Sequence, residues 1–329
     1  MRVPRLIFSM LLLCGSLFAA SELRQIGMVN VPGPPGFVDL TFCSGMLLMT
    51  HPGASAVDVY DVSRRRVIAQ VTGLQSPRGI AADEQGGRVY VADHESKSIA
   101  VISTDGWKVV DSIGVPGNPD ALLLDGAGKL FWTDADAGTI SLLDLHTKQD
   151  VAQTDVGGTP RDLAYDSARK IVFMTLQDVH QIISVDANAK VVNRFTLNAS
   201  QPTGLIYDPQ YHELYVAVRS AVVAVSADTG AEIDRVAAPP GVDSLWLDPQ
   251  SHTLYAASEG ALLTIDAKGK LSAGDEIIPQ VKGHIVAFDV DKNMLLLPGG
   301  REGKSKLLIF RPMAPQGQAG NQAAGAQVR

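Results

Sequence analysis

The chain has 329 residues, 28 of them basic and 35 acidic, for a formal net charge of −7, and 46% of it is hydrophobic. That length and apolar share provide for a large core. The acidic balance argues against a nucleic-acid partner, because phosphate contacts need a basic surface and no basic run exceeds Arg64-Arg65-Arg66.

In chain order, the first segment reads as an export signal. Arg2 and Arg5 form a positive start, and LIFSMLLLCGSLFAA (6–20) is an apolar run ending in small residues. It is short for a membrane anchor. Cleavage after Ala20 is expected, giving a periplasmic or secreted protein with no transmembrane segment. The mature chain loses two of its 28 basic residues against 35 acidic ones, for a net charge of −9. A lipoprotein reading would use Cys14, but Leu13 before it is large where a small residue is wanted. Cys43 then stands alone, so no internal disulfide and no thiolate zinc site is expected.

From there a unit of about forty residues recurs. Each copy has a short apolar run, an anchor carboxylate, a polar turn and a second apolar run, as in PRGIAADEQGGRVYVAD (77–93) and QPTGLIYDPQYHELYVA (201–217). The anchors are Asp83, Asp125, Asp166, Asp208, Asp248 and Asp289, with Cys43 in that place in the first copy. Such a period marks one four-stranded blade per copy. Within a copy, strand a precedes the anchor (GIAA, 79–82). Strand b follows the turn (VYVA, 89–92), and strand c is the next run (SIAVIS, 98–103). Strand d is more polar (KVVDSIGV, 108–115), as suits an outer strand with one wet face.

The ends of the array complement each other. The last copy has GHIVAFDVDKNMLLLP (283–298) and KSKLLIFRP (304–312) but no strand d, and ELRQIGMVNVPG (22–33) reads as a strand d. The prediction is an all-β fold: a seven-bladed β-propeller of four-stranded antiparallel blades over residues 21–311, its last blade closed by the N-terminal strand. Closure hides the open edges. The tail from 312 to 329 has almost no apolar content and is expected to be disordered.

The units resemble the bacterial YVTN-type β-propeller repeat, a relative of the NHL and lactonase-like propellers. The likeness spans about residues 23–311. Its best copy is 77–115, where Tyr90-Val91-Ala92-Asp93 stands in the Tyr-Val-Thr-Asn position. Phe131-Trp132-Thr133-Asp134 is similar to the YWTD repeat. The resemblance implies the propeller fold. For function it implies binding and envelope tasks, or metal-dependent hydrolysis at the channel mouth.

Function lies in what varies between copies. Five residues before each anchor stand Val38, Arg78, Asp120, Arg161, Thr203, Asp243 and His284, six of the seven polar and differing from copy to copy. Two positions further on, Leu40, Ile80, Leu122, Leu163, Leu205, Leu245 and Val286 are uniformly apolar. Repeated packing with unrepeated polarity is the pattern of a ligand-facing rim, although water alone can also fill a polar mouth. The b–c loops add Asp93 and Asp134 to the candidate ligand-binding set. No serine elbow, haem site or zinc spacing is present.

The leading expectation is an exported binding module without a cofactor, its partner a protein, peptide or saccharide of the cell envelope. The alternative is a metal-dependent hydrolase or lyase, with calcium on Asp120, Asp134, Asp243 and Glu259 and His284 as general base.

Overall fold

The computed structural model describes residues 22–313. The predicted leader, and the predicted tail beyond Met313, lie outside those residues. Seven four-stranded antiparallel sheets follow one another along the chain. Strand β1 (Glu22–Asn30) comes first but belongs to the last sheet. Blade one holds β2 (Leu40–Cys43), β3 (Met46–His51), β4 (Ala56–Asp61) and β5 (Arg66–Thr72). Blade two holds β6 (Pro77–Asp83), β7 (Arg88–Asp93), β8 (Ser98–Ser103) and β9 (Lys108–Gly114). Blade three holds β10 (Leu122–Leu124), β11 (Lys129–Asp134), β12 (Thr139–Asp144) and β13 (Gln149–Asp155). Blade four holds β14 (Pro160–Asp166), β15 (Ile171–Leu176), β16 (Gln181–Val185) and β17 (Val191–Thr196). Blade five holds β18 (Leu205–Asp208), β19 (Glu213–Val218), β20 (Ala221–Ser226) and β21 (Glu232–Ala237). Blade six holds β22 (Ser244–Asp248), β23 (Thr253–Ser258), β24 (Ala261–Asp266) and β25 (Ser272–Ile277). Blade seven is β26 (Ala287–Asp289), β27 (Met294–Arg301) and β28 (Lys304–Met313), completed by β1 in the order β1-β28-β27-β26.

The molecule is therefore a seven-bladed propeller stitched shut by its N-terminal strand, as the repeat predicts. The β1–β28 ladder runs from Glu22↔Met313 to Asn30↔Lys306, with a bulge at Ile26. Two boundaries differ from the prediction. PGGREGKSK (298–306), which replaces the usual short b–c loop in the last copy, is strand for most of its length: β27 extends through Arg301, which pairs with Lys304 across a two-residue hairpin. Glu302 and Gly303 have φ of 52° and 72°, the positive values such a tight turn needs. Strand β28 also continues two residues beyond the predicted end of the propeller at 311, pairing Pro312 with Leu23 and Met313 with Glu22.

No single core sits on the axis. Seven apolar clusters occupy the seven spaces between neighbouring blades. Leu47 and Ile309 share the seam of blades one and seven, and Trp132 joins Ala92 and Ile99 between two and three. The middle strands are buried on both faces, so β4 and β8 are buried throughout. The outer β13 alternates exposed and partly covered residues, because only one face of it packs. Blades one to six each carry a β-bulge between strands c and d, which adds the twist that fans the blades.

The anchor aspartates have a local task. Asp83 accepts from Gly86 N (2.8 Å), Asp125 from Ala127 N (2.7 Å), Asp208 from Gln210 N (2.8 Å) and Asp248 from Gln250 N (2.9 Å). Each carboxylate thus holds its a–b turn closed. Cys43 needs no such cap, because Cys43 pairs directly with Met46 and Ser44-Gly45 form a two-residue turn at φ 52° and 73°. Its thiol is buried as a small apolar side chain. Inner strands meet closely: a Cβ on Gly79 would lie 2.3 Å from the Asp120 carbonyl of the next blade. Only glycine lets Gly79 N donate there, at 2.8 Å.

Candidate functional site

The start of every inner strand faces one central channel. Val38, Arg78, Asp120, Arg161, Thr203, Asp243 and His284 all line a single cavity of about 880 Å³. Its opposite end is apolar and aromatic, formed by Ile206, Tyr207, Trp246 and Leu247 with Pro209 and Pro249. Phe42 of blade one meets Trp246 edge-on at 5.7 Å. The channel is thus polar at one end and greasy at the other, and its volume suits a small molecule or a few residues of a peptide.

The mouth is electrostatically organised. Arg78 Nη1 donates to Asp120 Oδ1 at 3.1 Å. His284 Nδ1 lies 2.9 Å from Asp243 Oδ2. The Asp243 carboxylate beside it holds the His284 imidazolium above the usual histidine range, against the cost of its burial. Burial works against ionising Asp243, but His284 and Arg161 together bring its pKa below the usual carboxylate range. Thr203 Oγ1 donates to the Val242 carbonyl at 3.1 Å and tightens the seam of blades five and six. Among the described residues Arg161 has no carboxylate within 4.0 Å. Val38 offers the ring an exposed apolar edge.

Two carboxylates that the sequence reading passed over stand one residue deeper. Asp39 accepts from Leu40 N (2.7 Å) and from Ile80 N of the next blade (3.0 Å). Asp162 accepts from Leu163 N (2.8 Å) and Leu205 N (2.8 Å) in the same way. Loss of water pushes Asp39 up to about 7, the facing charge of Asp162 adds to this, and the two N–H donors resist it. Burial likewise pushes Asp162 up to about 6, with Asp243 raising it and Arg161 lowering it. A signal was present: these positions read Asp39, Gly79, Ala121, Asp162, Gly204, Ser244 and Ile285, so two acids interrupt an otherwise small or apolar series.

The raised acids set the sign of a pH effect. Between about pH 4 and 7 the folded chain keeps a proton on Asp39 that the unfolded chain has released. Stability therefore falls as the pH rises through that window and is flat above it. Asp39→Asn removes the charge but keeps only one of the two acceptors that Leu40 N and Ile80 N use. It is expected to stabilise the protein by about 1–2 kcal/mol at pH 8, a value trimmed for channel water and the lost hydrogen bond, with the gain vanishing towards pH 4. Urea unfolding across that range checks it, and a loss of stability at pH 8 would contradict it.

Asp93 and Asp134 are not in the channel. Asp93 is buried and accepts from Gln75 N (3.0 Å), Ser76 N (2.8 Å) and Ser96 Oγ (2.6 Å). Asp134 is buried and accepts from Asn118 N (2.8 Å) and Ala137 N (2.9 Å). These carboxylates pin the d–a loop to the b–c turn, and their lone pairs are spent on backbone N–H groups and, in Asp93, a serine hydroxyl. The proposed calcium set does not converge either. Asp120 is with Arg78, Asp243 with His284, Asp134 is enclosed, and Glu259 lies 3.9 Å from Lys282. No group of three or more His, Cys, Asp or Glu side chains among the described residues is arranged to hold a metal ion.

One further constellation has catalytic residue types. Ser305 Oγ, His51 and Asp58 lie in line, with His51 Nε2 at 3.2 Å from the hydroxyl and Nδ1 at 2.6 Å from Asp58 Oδ2. His51 Nε2 also meets the Pro34 carbonyl at 2.7 Å. A carbonyl only accepts, so Nε2 donates and is no base for a serine. All three side chains are buried at the closure seam, where they serve the ring.

Residues 32–163, from blade one into blade four, match the model of the YNCE-like beta-propeller family. Antigen Lp49 of Leptospira interrogans serogroup Icterohaemorrhagiae serovar copenhageni (strain Fiocruz L1-130) is 21% identical over 201 residues, 54% of this chain and 43% of that protein. Low-density lipoprotein receptor-related protein 5 of Mus musculus is 31% identical over 108 residues, 30% of this chain and 6% of that protein. The chain thus spans less than half the length of these curated relatives. A chain in the crystal structure of a mitotic checkpoint complex superposes with a TM-score of 0.76 at 13% identity, over 95% of this chain and 99% of that one, which speaks for the fold alone. No helix among the described residues is long and apolar enough to cross a membrane.

Proposed function

We propose that this β-propeller is an exported binding module that takes its partner, a peptide, saccharide or protein of the cell envelope, at the channel mouth. One observation carries the reading: seven side chains that differ from blade to blade converge on one 880 Å³ cavity, within a scaffold whose other features repeat. Export rests on the positive start and apolar run of residues 1–20. Kinship to the YVTN and NHL propellers is part of the same proposal, supported by the Tyr90–Asp93 signature. No observation favours the hydrolase reading over it.

The test is a thermal-shift screen against envelope peptides and saccharides. A triple Arg78→Ala, Arg161→Ala, His284→Ala protein is the control. It should keep its own melting temperature within a few degrees, since these side chains are partly exposed and surface ion pairs contribute little. It should lose any ligand-induced rise shown by the parent. Equal ligand shifts in both proteins would refute the mouth as the binding surface.

A further inference from the structure

The channel's charge is set by a small number of groups. Its inner strands and their lead-in residues present Arg78 and Arg161 as cations, Asp39, Asp120, Asp162 and Asp243 as acids, and His284. Blade five contributes Thr203 and no charge. Behind Asp39, strand β3 offers the Thr50 hydroxyl, which accepts from Asp39 N at 2.9 Å, and His51 is turned away to Asp58. Behind Asp162, strand β15 offers Thr175, which accepts from Asp162 N at 3.2 Å. Among the described residues no other charged group lines the cavity.

The pairing within this set is uneven. Arg78 is matched by Asp120 and His284 by Asp243. Among the described residues Arg161 is left without an acid within 4.0 Å, while Asp39 and Asp162 touch only backbone N–H donors and no base. With every acid ionised and His284 neutral, two cations face four anions and the channel carries −2. With protons on Asp39, Asp162 and His284, three cations face two anions and it carries +1. The acids in question lose their protons near 6 and 7, so the reversal falls in an ordinary pH range. The far end of the same cavity adds Tyr207, Trp246 and Leu247 as an apolar surface.

Resting on the binding-module reading, we infer that the channel is a proton-coupled site for a small organic carboxylate with an apolar body. Arg161 takes the anion beside Asp243 and His284, and Tyr207 and Trp246 pack against the body. Binding takes up protons, and affinity rises as the pH falls. Protonating the throat acids removes the repulsion the ligand would meet and leaves Arg161 as its partner. A cation would show the opposite dependence.

The experiment is calorimetric titration with 4-phenylbutyrate, 4-phenylbutanol and 4-phenylbutylamine, which share one body and differ in head charge, at pH 5.5 and 8.0. The butyrate should bind at pH 5.5 and weaken at least about tenfold by pH 8.0. Titration at pH 6.5 in two buffers of different ionisation heat should show net proton uptake. Arg161→Gln should abolish the preference for butyrate over butanol. Asp39→Asn should retain butyrate binding at pH 8.0, and Asp162→Asn serves if that variant fails to fold. Preference for the amine, or butyrate affinity that is equal at the two pH values, would overturn the inference. So would no binding of the butyrate at either pH. Butanol or amine binding that the triple mouth variant loses would sink the carboxylate assignment and leave the binding module standing. The envelope screen judges the module separately.

Discussion

A chain shortened to begin at Val31 is expected to lose most of its folded population. Strand β1 supplies the outer strand of blade seven and pairs with β28 over its whole length. Leu23 is buried against the cluster containing Tyr255 and Phe310, and Ile26 and Val29 pack against the cluster of Leu47 and Ile309. Burial of Leu23 is worth about 1.5–3 kcal/mol, and the partly buried Ile26 and Val29 contribute roughly half that each. A whole domain has only about 5–15 kcal/mol to lose. Removal also bares the edge of β28, where Leu307, Leu308, Ile309 and Phe310 follow in sequence, so aggregation should accompany unfolding. Urea unfolding and gel filtration check both effects. A permuted chain that begins at Pro32 and joins Met313 to Glu22 through an Asn-Gly turn should recover the fold, because those two residues are already paired. A shortened chain that stays monomeric with unchanged stability would refute the closure argument.

His51→Ala should cost about 3–5 kcal/mol, a loss usual when one partner of a buried pair is removed. His51 and Asp58 are fully buried, 2.6 Å apart. Asp58 also accepts from Gln70 Nε2 at 2.8 Å, and Phe37 stacks on the imidazole at 4.1 Å between ring centres. Through Pro34 and Ser305 the same imidazole ties the entry loop and blade seven to blade one. Truncation thus leaves an uncompensated carboxylate and unlatches the seam. Asp58→Asn placed on His51→Ala should restore part of the loss, and a double-mutant cycle in urea measures it. A cost below about 1 kcal/mol would show that the pair contributes little.

The blades were legible because their signals are local. An anchor aspartate and its turn lie within five residues of each other, and strands such as Ser98–Ser103 and Ala221–Ser226 appear as unbroken apolar runs. The closing strand was legible for a related reason: a missing strand d at one end and a spare one at the other are complementary features of a period. The segment 298–306 misled because glycine and proline usually punctuate strands. Here Gly299 and Gly300 are strand residues because Lys282 and Val281 approach the first, and Pro35 the second, too closely for any side chain.

The candidate site was legible only as a list. Position within the repeat separated the mouth residues from the packing residues, and the cavity collects all seven. It did not separate Asp93 and Asp134, whose partners include backbone N–H groups some sixteen to eighteen residues away. Asp39 and Asp162 escaped notice because the groups that bind and desolvate them belong to the next blade and to the far side of the ring.

Blade number, blade order and ring closure were thus encoded in the residue order alone, since each depends on hydrogen bonds and turns made inside one repeat or between its matching ends. Which acids stay charged, which cation lacks a partner and where a ligand could sit depended on assembly. Dielectric screening and charge pairing are set by neighbours that the ring brings together from some forty to over a hundred residues apart.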